Sequence, residues 1–298
     1  MGTRLGIGIG VALLTVSALA QAPASPKPSA KVGYSTPRTP WGESDLRGTY
    51  TTDNSIGVPF ECPSQYGDRA MLTDEEFVAN EKANLDKVAK DNHERPETPF
   101  EQDEAANNAP RHWLERGRFA RQNDAAEFHS YYDRCITRGV TGSILPAIHG
   151  NGTRIDQGPG YVVIRNEMIH EDRVIPTNSQ APRLGKNIQL YMGDPRGHWE
   201  GSTLVVDSTN FTDKIGVGGG SLPSTSLHLV ERLTRTAPGT IRYEFTVDDP
   251  ETFTAKWTAA LDLTMKPGYE IYEYACHEGN YGLRNMLSAS RADDRAAK

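Results

Sequence analysis

Leu227, Leu229, Glu231 and Leu233 fall at alternate positions in the segment Leu227 to Arg235. If that segment is a strand, the four side chains share one face, because successive residues point to opposite sides. A carboxylate on an otherwise apolar face must find a partner or keep its proton, since desolvation penalises the charge. Glu231 is therefore a candidate general acid or base. The competing reading is a buried ion pair with an arginine from another strand, Arg173 or Arg165.

Two further clusters could join it. Glu167-Met168-Ile169-His170-Glu171-Asp172-Arg173 packs acid, base and cation groups into a stretch expected at a strand end, and strand ends at the mouth of a barrel are where ligand groups collect. There His170 could shuttle a proton and Arg173 could hold a carboxylate or phosphate. A hydrated turn would have the same composition. In the last expected strand, Tyr269 to Cys276, Glu273 and His277 lie on one side with Ile271 and Ala275. Were that side the interior, His277 and Glu231 could meet as an acid–base pair; otherwise His277 ends a strand and bonds backbone. The candidate catalytic set is Glu231, His170 and His277. The candidate substrate contacts are Arg173, Glu167, Tyr272, Glu273, Trp199 and Asn210, with Trp199 read as core more readily than as a stacking platform.

Other chemistries find less support. His170, His198, His228 and His277 show no HxH or HExxH spacing, so zinc is not favoured and no cofactor is expected. No Gly-x-Ser-x-Gly is present, which argues against serine hydrolysis. Gly218-Gly219-Gly220 has no following Lys or helix pattern and does not read as a phosphate cradle.

The elements that must position these groups follow from periodicity. Period-two alternation begins after Gly158-Pro159-Gly160 and marks strands at Tyr161 to Glu167 and Arg173 to Pro176 (two strands, or one sharply bent strand, meeting near His170), Ser202 to Asp207, Leu227 to Arg235, Thr240 to Asp248, Trp257 to Met265 and Tyr269 to Cys276. Pro238-Gly239, Asp249-Pro250 and Pro267-Gly268 supply the turns. Short antiparallel strands in this number point to a barrel, or to a β-sandwich. Upstream, Thr73 and Glu76 form a capping-box pattern opening a helix to Lys90, and a second short helix is expected around Arg111 to Arg121. The remainder of 92–123 reads as irregular.

At the N-terminus, Arg4 precedes an apolar run from Leu5 to Ala20 that ends in Ala18-Leu19-Ala20, the pattern of a cleaved signal peptide. The run is about 16 residues and falls short of the roughly 20 a membrane span needs. The organisation expected is a signal peptide (1–20), a flexible Pro/Ser/Ala-rich leader (21–40), a helical and irregular segment packed on the barrel (41–158), a β core (159–290) and a disordered tail (291–298). The formal charge of −7 and the lack of a basic cluster argue against nucleic acid. No integral membrane association is expected after signal cleavage, and the partner is a small molecule. Of the three cysteines, Cys62 falls in an irregular stretch, so the preferred bridge joins Cys135 to Cys276.

The phrases GYVVIRNEMIHEDRVIP, MGDPRGHWEGSTLVVDSTNFTDK, LHLVERLTR, YEFTVDDPETFTAKWTA and YEYACHEGNYGLRNML, with WGESDLRGTY and RCITRGV upstream, resemble a largely uncharacterised family of secreted bacterial proteins. The likeness covers most of residues 40–290. It implies a calycin-like, lipocalin-like antiparallel barrel and a periplasmic or secreted location, and it implies no settled activity. Thr177-Asn178-Ser179 stands where that family's pattern has an Asp-Gly-Arg turn. The functions expected are an exported, cofactor-independent enzyme doing acid–base chemistry (lyase, isomerase or hydrolase) on a small organic substrate in a barrel pocket, or a non-catalytic carrier or sensor.

Overall fold

A computed structural model describes residues 34–58, 65, 72–93, 125–178, 181–214 and 223–296. The expected signal peptide, the leader up to residue 33, Cys62, the helix expected near 111–121 and Gly218-Gly219-Gly220 lie outside these residues. The chain is mainly β. Its strands are β1 (Gly48–Thr51), β2 (Gly152–Gly158), β3 (Tyr161–Asn166), β4 (Asp172–Pro176), β5 (Asp194–Glu200), β6 (Thr203–Thr209), β7 (His228–Ala237), β8 (Thr240–Asp248) and β9 (Trp257–Thr264). Among the described residues three α-helices accompany them: α1 (Asp74–His93), α2 (Val140–Ile144) and α3 (Tyr281–Ala296). The capping box at the start of α1 forms on both sides, with Thr73 N–H donating to Glu76 Oε2 at 2.9 Å and Glu76 N–H to Thr73 Oγ1 at 3.3 Å.

The strands make one nine-stranded antiparallel sheet in the order β4-β3-β2-β1-β9-β8-β7-β6-β5. Two meanders, β2-β3-β4 and β5 to β9, are therefore joined through β1, which pairs Tyr50 with Thr153 on one side and Thr51 with Thr264 on the other. The outer strands of the two meanders also converge. A Cβ added to Gly197 of β5 would lie 3.0 Å from methyl groups of Ile175 and Thr177, at and just beyond the end of β4, so glycine lets the end strands approach where a side chain would wedge them apart. The curled sheet encloses one core, drawn from Leu46, Tyr50, Ile155, Ile164, Ile175, Leu204, Leu229, Leu233, Ile241, Tyr243, Phe245 and Leu263. Alternation produces this: in β8, Ile241, Tyr243, Phe245 and Val247 are all buried at period two.

The structure departs from the sequence reading in four places. β1 and β2 precede residue 159 and yet belong to the sheet, so the core begins earlier than the change of texture suggests. β5 is a full strand of its own, where the sequence reading bounds a single strand in this region at Ser202 to Asp207. Residues 269–276 form no strand: the ladder of β9 ends at Thr264, Met265 N–H bonds Gly239 O, and the turn at Pro267-Gly268 sends the chain across the end of the barrel. Finally, α3 runs to Ala296 through the stretch expected to be a disordered tail.

Candidate functional site

Glu231 sits on the inner face of β7, where alternation puts it, and is fully buried. Its carboxylate is engaged by partners inside the core. Arg173 reaches across the core from β4 and grips it in a bidentate pair, Nη1 to Oε2 at 2.6 Å and Nη2 to Oε1 at 2.8 Å, while Tyr243 Oη donates to Oε1 at 2.9 Å. The ion pair foreseen as the competing reading is the one that forms, with Arg173 as the partner; Arg165 instead pairs with Asp172 on the surface. Burial alone would lower the Arg173 pKa, but the carboxylate at contact more than offsets this and leaves it raised. Burial, then the charge on Glu231, pushes the Tyr243 hydroxyl well above its ordinary value. Arg173 is thus committed to an internal carboxylate, which corrects its assignment as a substrate contact.

Some of the candidate groups that reach solvent, His170 and Glu273, lie near one end of the barrel, where β2 begins, β3 ends and β4 begins. The disulfide Cys135–Cys276 spans this end, with its Cα atoms 5.7 Å apart. Around it lies a cleft of about 440 Å³ whose walls include Tyr132, Asp133, His149, Glu273, Tyr274 and, from α3, Met286. Tyr274 Oη sits 3.4 Å from Tyr132 Oη and 3.2 Å from His149 Nε2, making a hydroxyl–hydroxyl–imidazole chain along one wall. Burial, then the hydrogen bond with Tyr132, pushes the Tyr274 hydroxyl up to about 12. His170 adjoins the cleft with Nδ1 3.1 Å from the Tyr274 carbonyl oxygen.

Backbone strain concentrates at this end. Among the described residues four non-glycine positions have left-handed φ: Cys135 (57°), Ile169 (55°), His170 (44°) and Asn210 (60°). The first three border the cleft or its neighbouring loop. For β-branched Ile169 such a conformation costs about 1–3 kcal/mol and persists only where surrounding contacts enforce it. Glu167 supplies one such contact: its Oε2 accepts Gly152 N–H at 3.1 Å and the Tyr269 hydroxyl. A Cβ on Gly152 would lie 2.3 Å from that oxygen, so the position has no space for a side chain.

The remaining candidates are dispersed. His277 is exposed and far in environment from the sealed Glu231, so the acid–base pair between them does not form. The physical reason is that residues 269–276 cross the barrel end instead of adding a strand to its wall. Tyr272 is 70% exposed, and Glu273 is exposed at the cleft. Trp199 is half-buried and packs against the core. Asn210 staples the connection before β5, donating from Nδ2 to the carbonyls of Gly185 at 3.0 Å and Ile188 at 3.1 Å, and has no place in the cleft. The cleft residues that sequence reasoning missed are Tyr132, Asp133, His149 and Tyr274. A usable signal existed for three of them: once Cys135 pairs with Cys276, their flanking residues must share one locality.

Among the described residues no group of three His, Cys, Asp or Glu side chains is placed to hold a metal ion, and no helix is long and apolar enough to cross a membrane. No family model, curated protein or solved structure matches this chain.

Proposed function

We propose that this is an exported small-molecule-binding protein, a carrier or sensor whose site is the cleft at the disulfide end of the barrel. One observation carries the reading: the ionisable groups of the core satisfy one another in the Arg173–Glu231–Tyr243 set, while Tyr132, Tyr274 and His149 present hydrogen-bonding atoms to a cleft large enough for a small organic ligand. The N-terminal pattern of the sequence and the disulfide support export to the periplasm or beyond. The resemblance to secreted bacterial calycin-like proteins points the same way.

The test is a thermal-shift screen of residues 21–298 against aromatic, lipid-like and sugar-acid panels, since binding to the folded state alone raises Tm by mass action. A hit should lose its shift in Tyr274→Phe and His149→Ala and keep it in Tyr161→Ser, on the far side of β3. A shift unchanged by both cleft variants refutes the assignment. Acid–base catalysis is the second reading, favoured by the continuity of the Tyr132–Tyr274–His149 chain, along which a proton could pass. It requires that the bound compound be converted, and that His149→Ala stop conversion while affinity is largely kept.

A further inference from the structure

The Cys135–Cys276 disulfide lies in the wall of the cleft and differs in environment at its two sulfurs. Cys135 is buried at 5% exposure, whereas Cys276 is half-buried within the segment that crosses the barrel end. Asn280 Nδ2 donates to Cys135 Sγ at 3.4 Å. The same amide donates to Asp133 O at 2.8 Å, and its Oδ1 accepts Leu283 N–H at 3.2 Å, so the donor is held in place from both sides. A hydrogen bond to sulfur favours the thiolate over the thiol. In thiol–disulfide exchange the sulfur that departs as the better-stabilised thiolate is the better leaving group, and attack falls on the accessible sulfur.

We infer that this disulfide is an exchange site for a dithiol reductant, attacked at Cys276 with Cys135 as leaving group. A reductant thiolate bonds to Cys276 Sγ as the Cys135–Cys276 bond breaks, and the electron pair leaves on Cys135, steadied by Asn280 until it takes up a proton. The second thiol of the reductant then displaces Cys276 from the mixed disulfide. The reductant ends as a disulfide and the protein as two thiols, a balanced two-electron exchange. Asp133 and Glu273 line the approach and disfavour anionic thiols.

Exchange has a structural consequence. Among the described residues of α3 none is buried, so little apolar contact holds the helix once the bridge opens. Its other ties near the bridge include the Asn280 bonds and those of Tyr274 and Tyr269. Reduction should therefore loosen residues 266–296 and dismantle one wall of the cleft, whether or not a ligand binds there.

The experiment uses the full mature chain with Cys62→Ser, so that two sulfurs remain to be distinguished. The folded protein is treated with 2-mercaptoethanol, quenched by alkylation and mapped by mass spectrometry. The adduct is expected on Cys276 and the alkyl group on Cys135. Adduct on Cys135, or no exchange until denaturant is added, overturns the inference. Asn280→Leu and Asn280→Asp should each slow exchange by up to about tenfold, the worth of one typical hydrogen bond, and equal rates in all three proteins would remove Asn280 from the mechanism. Hydrogen exchange of residues 266–296 should rise on reduction with dithiothreitol while the strands stay protected; protection unchanged throughout overturns the structural consequence.

Discussion

Arg173 and Val174 invert the usual order of a strand: the cation is 3% exposed and the valine beside it 59%. Pairing with β3 sets this register, since Arg173 lies opposite inward Ile164 and Val174 opposite Val163, and a shift of one residue would put Arg173 outside and strand Glu231 without a partner. Breaking a buried pair costs more than the pair contributes, because the surviving charge stays buried. Glu231→Gln or Arg173→Met should each lose about 3–5 kcal/mol in urea unfolding, and Arg173→Met with Glu231→Leu should lose less than either single change. The Tyr274 hydroxyl makes a second residue-scale prediction. Its pKa is raised in the folded state from 10.0 to about 12, so the proton is held more tightly when folded. The stability this contributes is full below pH 10 and is lost as pH rises toward 12; Tyr50 and Tyr243 are raised as well, so tyrosinate absorbance should show one fewer late-titrating group in Tyr274→Phe than in the parent. Glu231 was readable from parity as a buried carboxylate, and so were its two candidate partners, Arg173 and Arg165. The choice itself was not, because β4 and β7 are not adjacent in the sheet.

At the scale of elements, the approach of β4 and β5 depends on Gly197, whose added Cβ would press on Ile175 and Thr177. Gly197→Val should destabilise by about 1–3 kcal/mol, the usual cost of overpacking, with a smaller loss for Gly197→Ala, measured by denaturant midpoint. Six strands were legible because apolar residues alternate along them between turn signals. β1 and β2 were not. β1 spans only four residues, GTYT, too few for a period to register, and β2, GTRIDQG, holds one large apolar side chain. The supposed strand at 269–276 shows the opposite error. Tyr-rich alternation there serves side chains that reach down to Glu167, Tyr132 and His149 from a segment lying across the barrel end, and local pattern cannot tell that from a wall strand.

For the whole molecule, the disulfide closes a loop of sequence separation 141. Loop-closure entropy grows slowly with length, so Cys135→Ser with Cys276→Ser should lower unfolding free energy by about 2–5 kcal/mol, a figure reversible urea denaturation under oxidising conditions would check. That loop carries β2 to β9 and leaves β1 outside. Since β1 is also the strand between the two meanders, the covalent ring is completed non-covalently by a piece of chain not threaded into it. Such a strand is exchangeable in principle between copies. If β1 withdraws, β2 and β9 present unpaired edges while the ring stays intact, and the nearest chemically perfect replacement is the β1 of another molecule. This architecture is therefore disposed to reciprocal domain swapping through its N-terminal strand, and a free peptide of residues 34–58 would compete for the same seam.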